Sequence, residues 1–264
     1  MARILAIANQ KGGVGKTTTA VNLACALAHN GQRVLLVDLD PQGNATMGAG
    51  VEKRTAMPTA YQVLLGQADI AASRLHSARG GFDVVPANRE LSGSEIDMVE
   101  IESREYRLKN ELSRVAGEYD FVLIDCAPTL NLLTVNALAA ADAVLIPMQC
   151  EYYALEGLTD LVATIKKVKA RLNPRIEIEG LLRVMFDPRS TLAQQVASEL
   201  KSHFGDKVFN TVIPRNVRLA EAPSHGLPGV VYDPASKGAL AYLELARELL
   251  QRYGVNVAHP GTGN

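Results

Sequence analysis

Seven consecutive residues constrain this chain more than any others: Lys11-Gly12-Gly13-Val14-Gly15-Lys16-Thr17. They follow a short, mostly apolar stretch, residues 3–9, that reads as a strand. They precede Ala20, Leu23, Ala24, Leu27 and Ala28, spaced as one face of a helix that ends near Gly31. Small residues between a strand and a helix let backbone N–H groups converge on phosphate oxygens, and the helix start adds its dipole. Lys16 has the reach for β and γ phosphates, the Thr17 hydroxyl is a magnesium ligand, and Thr18 continues the cradle. A purely structural glycine turn has no need of the Lys-Thr ending. The common GxxxxGK[ST] spacing asks for glycine at position 10, which is Gln10 here, and a second lysine, Lys11, follows it.

Downstream the chain alternates between short apolar runs and longer helical patterns. Strands are expected at 33–38, 82–85, 121–125, 144–147, 179–185 and 207–212. Helices are expected near 59–65 and over 104–116, 130–140, 158–172, 192–203 and 237–252. The runs Val34-Leu35-Leu36-Val37 and Phe121-Val122-Leu123-Ile124 are apolar throughout, as strands covered on both faces must be. The fold class is therefore α/β, with a mostly parallel central sheet flanked by helices on both faces. No stretch rich in Pro, Gly or Ser divides the chain. The expectation is one domain over 1–264, with a flexible tail from about 254.

Composition excludes several alternatives. A hydrophobic content of 47% argues against wholesale disorder. With 27 basic and 28 acidic residues, the chain is no polycation that coats nucleic acid or an anionic membrane. Residues 151–264 hold a slight basic excess, which marks where polyanion contacts belong. Cys25, Cys126 and Cys150 lie far apart without CxxC spacing, against a disulfide framework or zinc ribbon. The first strand runs straight into the glycine loop without a secretory leader, and no run of 18 apolar residues occurs. A soluble cytoplasmic protein is expected.

Five blocks, IANQKGGVGKTTT, VLLVDLDPQGNAT, LIDCAPTLNLLTVNAL, MFDPRSTLAQQV and TVIPRNVRLAEAPSHG, occur in this order. In these blocks the chain resembles the deviant Walker A branch of P-loop NTPases, particularly the ParA/Soj partitioning ATPases. The resemblance spans residues 7–226 and implies a P-loop NTPase fold, ATP and Mg2+ as cofactors, and ATP hydrolysis. Lys11 matches the lysine that reaches across a dimer interface to the other subunit's nucleotide, which implies an ATP-dependent homodimer. Asp125, ending an apolar run, matches the Walker B carboxylate near magnesium. Asp40 matches the residue that positions the attacking water, while Asp38 is a magnesium-shell or structural carboxylate. Pro214 and Asn216 match the region that shapes the adenine pocket.

The resemblance also implies a track and a partner. Arg189 and Arg218 match arginines that bind nonspecific double-stranded DNA once ATP has made the dimer, so the protein is expected at the nucleoid. Lys201, Lys207, Arg215 and Lys237 would widen that patch. A ParB-like centromere-binding protein would accelerate hydrolysis and so drive DNA segregation. The chain departs from the family at Leu227 and Ala235, where basic residues are common, and at Ala127 and Asn131, where Pro and Gly are usual. Fewer cations mean weaker, less salt-dependent DNA binding. Related ATPases that position another cargo share this machinery. A MinD-like membrane ATPase would need a basic amphipathic helix at the C-terminus, which residues 253–264 lack, so no membrane is expected. An iron–sulfur relative would need paired cysteines.

Overall fold

Parallel strands bury both faces, and their sequences here are apolar enough to allow it. In chain order they are β1 (Arg3–Ile7), β2 (Val34–Leu39), β3 (Leu75–Ser77), β4 (Phe82–Val85), β5 (Phe121–Cys126), β6 (Ala143–Met148), β7 (Glu177–Phe186) and β8 (Val208–Pro214). Every residue of β2, β5 and β6 is buried. The computed structural model describes residues 2–255. The strands form one sheet in the order β3-β4-β2-β5-β1-β6-β7-β8. All neighbours are parallel except β3 and β4.

One face packs against helices Ala60–Leu65, Arg107–Val115, Leu132–Ala140, Ala154–Arg171 and Thr191–Phe204, and the other against Lys16–His29 and Lys237–Arg252. Each helix supplies a stripe at helical spacing. In Arg107–Val115 the buried positions include Leu108, Leu112 and Val115, while Lys109 and Arg114 stay outside. Side-chain caps fix several starts: Asn131, Ser190 and Ser236 each accept from the backbone N–H three residues on. Asn131, a departure from the family pattern, thus serves as a helix cap.

The expected strands and long helices are present, with shifted ends. Helix Ala154–Arg171 starts a turn earlier than expected, and the 104–116 stretch opens as a 3-10 turn, Arg104–Tyr106. Not anticipated were β3, which caps the sheet edge in reverse direction, and the short helices Asn44–Gly48, Ile70–Ser73, Ser94–Asp97, Val217–Glu221 and Gly229–Tyr232. The expected flexible tail lies, beyond Val255, outside the described residues.

Cys25, Cys126 and Cys150 are free and buried, and burial pushes the Cys25 thiol up to about 12 and that of Cys150 to about 11. Among the described residues no helix is long and apolar enough to cross a membrane. The two helices of the second face are joined by a buried bond of 3.1 Å between the Tyr242 and Thr19 hydroxyls. Tyr242→Phe is expected to lower stability by about 1–2 kcal/mol, because the Thr19 hydroxyl stays buried without its partner. Urea unfolding with an unchanged slope would measure this.

Candidate functional site

The sheet's parallel direction gathers the loops after β1, β2, β5, β7 and β8 at one edge. Register is the first determinant of the site: Ile7 and Asp38 both lie level with Asp125 on the strand between them. The glycine loop leaves β1 at this level. Gly15, the residue before helix Lys16–His29, has φ +75°, a left-handed conformation that strains any other residue. Val14 is buried beneath the loop, while Gly12 and Gly13 are exposed. Thr17 and Thr18 line a cleft of about 400 Å³ with Asn22, Met47, Pro223 and Leu227.

The two lysines of the loop behave differently. Lys16 is buried, and its Nζ donates to the Lys11 carbonyl at 3.0 Å. Burial lowers its pKa, and the charges of Asp125 and Asp40 oppose that fall. Lys11 stands outside, with Nζ 2.6 Å from a Glu151 carboxylate oxygen, both side chains partly exposed. An ion pair so exposed contributes at most about 1 kcal/mol, so Lys11 is readily released.

The three aspartates also divide by environment. Asp38 Oδ2 accepts from the Thr46 N–H at 2.8 Å and the Thr46 hydroxyl at 2.7 Å, and Oδ1 accepts from the Asp40 N–H at 3.1 Å. Burial raises its pKa to about 6, against these donors. Asp38 thus holds the loop that carries Asp40. Asp40 itself is half-buried and accepts from the Gln42 N–H at 2.9 Å. Asp125 is fully buried, and among the described residues neither carboxylate oxygen has a partner in hydrogen-bonding geometry, although the Thr17 hydroxyl lies close by. Burial, then the Asp38 charge, lift its pKa well above the ordinary range; Thr17 and Lys16 oppose this. Two orphaned carboxylate oxygens beside a threonine hydroxyl make an oxygen donor set that fits a hard divalent cation such as magnesium.

The remaining expected residues lie beyond β7 and β8. Pro214 ends β8, and Asn216 caps helix Val217–Glu221 by accepting from Leu219 N–H at 3.3 Å. Arg218 in that helix pairs with Glu221 at 2.9 Å and Asp233 at 3.3 Å. Arg189 is 89% exposed and holds Asp187 through two guanidinium bonds, which depress that carboxyl to about 2. Lys201 and Lys207 do not widen this region. They line a cavity with Arg3, Glu177 and Val208 at the strand starts, the opposite edge of the sheet.

Sequence reasoning missed two residues at the site. Thr46 is the main donor to Asp38, and its position inside VDLDPQGNAT was the available signal. Met185 has φ +49° and sits 3.9 Å from where a Gly15 side chain would begin, with its sulfur 3.0 Å from Gln149 Nε2. A left-handed methionine against the phosphate loop is backbone strain of the kind that collects at functional sites.

Ionised Asp125 opposes folding of the metal-free chain. Its folded pKa is raised, so the penalty builds as pH rises through the unfolded carboxylate range near 4 and is absent below it. Asp125→Asn is expected to stabilise the metal-free protein by about 1–3 kcal/mol at pH 7.5. The gain should vanish near pH 4 in urea titrations run across pH.

A family model described as an AAA domain matches residues 2–178. The chromosome partitioning protein ParA of Caulobacter vibrioides is 54% identical over 252 residues, 95% of this chain and 94% of that one. The chromosome-partitioning ATPase Soj of Thermus thermophilus is 52% identical over 250 residues, 95% and 96% of the two chains. Among solved structures, cobyrinic acid a,c-diamide synthase from Mycobacterium smegmatis, with bound ATP analog and magnesium, superposes with a TM-score of 0.84 at 37% identity, covering 96% of each chain. With more than half of the aligned residues identical over 95% of its length, the chain belongs to the ParA/Soj family of chromosome-partitioning P-loop ATPases.

Proposed function

We propose that this single-domain protein is a magnesium-dependent ATPase that dimerises with ATP, binds nonspecific nucleoid DNA and segregates DNA with a ParB-like partner. The observation that carries the reading is the charge arrangement at the phosphate loop. Lys16 lies buried beside the unpartnered Asp125 carboxylate, while Lys11 is held only by an exposed ion pair. A buried cation beside an unpartnered carboxylate suits a phosphate–metal pair, and a loosely held outer lysine suits contact with a second subunit's nucleotide.

Backbone N–H groups of residues 12–18 and Lys16 hold the phosphates, and Pro214 and Asn216 border the base. Asp125 and Thr17 would hold magnesium, which would supply charge neutralisation for the phosphates, and Asp38 serves that set by fixing the Asp40 loop. Asp40, open to water and held by a single backbone bond, positions the attacking water. Arg189 and Arg218 contact DNA phosphates, which requires each to leave its own carboxylates. ATP-dependent binding followed by hydrolysis sets how long the protein stays on the nucleoid.

Two sets of variants test this. Lys16→Ala should lose ATP binding in a fluorescent-nucleotide titration. Asp40→Ala should keep ATP binding and lose roughly 100-fold or more in hydrolysis rate; normal hydrolysis would remove Asp40 from its role. On a nonspecific duplex with ATP, Arg218→Ala should weaken binding and flatten the slope of log affinity against log salt by about 1. The same slope in the variant and the parent would take Arg218 off the DNA surface.

A further inference from the structure

Beside the Asp40 loop lies a concavity of about 550 Å³ lined by Gln42, Lys53, Arg54, Asn88, Arg89 and Glu90. Arg54 and Arg89 are exposed, and Lys53 is half-buried. Among the described residues none of these three cations makes an ion pair. This sets them apart from Lys11, Arg189 and Arg218, each of which is paired within the chain. Three unpaired cations converging on one hollow form an anion site.

The lining also constrains the ligand. It has no aromatic or aliphatic residue on which a base could stack, which disfavours a nucleotide. It includes one carboxylate, Glu90, whose only side-chain bond among the described residues is a 3.3 Å contact from Gln62, so it has acceptor capacity to spare. A duplex backbone offers acceptors alone and would repel Glu90. A polypeptide offers carboxylates to the cations and N–H groups to Glu90. We propose that Lys53, Arg54 and Arg89 form the docking site for an acidic segment of a partner protein, and that its occupancy is sensed by the Asp40 loop.

The link to Asp40 is short. Lys53 Nζ donates to the Gln42 carbonyl at 2.5 Å, and the Gln42 N–H donates to Asp40. Gly43, with φ +60°, is wedged so tightly that a Cβ there would meet the Ala87 carbonyl oxygen at 2.5 Å and Lys53 Cδ at 2.9 Å. On its other side the Ala87 N–H donates to Thr46, the residue that holds Asp38. An acidic side chain that draws Lys53 away from Gln42 loosens the turn on which Asp40 sits. This second half rests on the ATPase reading; the docking itself does not.

The test uses the full chain and a labelled octapeptide of alternating Glu and Ser, with the Gln-for-Glu peptide as control, read by fluorescence anisotropy at low salt. The acidic peptide should bind and the neutral one should not. The Arg54→Glu/Arg89→Glu double variant should lose roughly tenfold or more in affinity, and Arg79→Glu, at an exposed arginine elsewhere, should lose nothing. No binding by the parent chain, or equal binding by the double variant, overturns the proposal. Loss of duplex DNA binding in the double variant with peptide binding intact assigns the cluster to DNA and also overturns it. Coupling is read separately: the peptide should change the ATP hydrolysis rate of the parent but not of Lys53→Ala. A parent that hydrolyses no ATP fails the function proposed above and leaves the binding result standing, whereas a peptide that binds without changing the rate overturns the coupling.

Discussion

Two carboxylates on neighbouring strands, Asp38 and Asp125, are buried side by side, and the rest of the phosphate edge answers to them. Charge removed from water must be met by donors or counter-charge. Asp38 is met by the amide and hydroxyl of Thr46 and the amide of Asp40, which ties helix Asn44–Gly48 and the Asp40 loop to the end of β2. Among the described residues Asp125 has no donor in hydrogen-bonding geometry, and only the nearby Thr17 hydroxyl and the Lys16 charge favour its ionised form. Lys16 approaches it from the loop after β1, and the mutual field of the two groups shifts both pKa values against their burial. The apolar strands around them supply the stability that lets the fold carry such a pair.

Topology then decides what else can join. Because β1, β2, β5, β7 and β8 all end at the same edge, residues separated by up to two hundred positions meet there without long connections. Gly15 lies against Val184 and Met185 at the end of β7, and the residues around Gly43 lie against Ala87 beyond β4. The phosphate loop is thus held from the β7 side, and the Asp40 loop from the β4 side. A change at either flank reaches the centre, through the Val184 and Met185 side chains on one side and the Ala87 backbone on the other.

Much of this was legible in the sequence. The glycine loop, the aspartates at strand ends and the order of strands and long helices all follow from local patterns: continuous apolar runs and helical stripes. Helices of four or five residues were not legible, because so short a segment has no stripe to detect and is held by its neighbours, as Asn44–Gly48 is by the Thr46–Asp38 bonds. β3 was hidden for the same reason, three residues being too few for an alternation. Within the site, residue types were readable but the division of labour was not. Nothing in VDLDPQGNAT says that Asp38 would be fully engaged by Thr46, nor in LIDCAP that Asp125 would have no partner. Ion pairing was equally opaque: Lys201 and Lys207 join Arg189 and Arg218 by composition, yet stand at the other end of the strands.

The intramolecular pairs of Arg189 and Arg218 bear on which anions these side chains can serve. A carboxylate two or three residues away is present at an effective concentration in the millimolar range or above. A free phosphate, a single nucleotide or a chloride ion offers one contact and competes poorly with it. A polymer that presents many phosphates in a row would compete better, since its contacts add while the cost of association is incurred once. Exposed as they are, the pairs keep the cost of displacement small, and any anion that reaches these arginines must first displace a carboxylate of the chain itself.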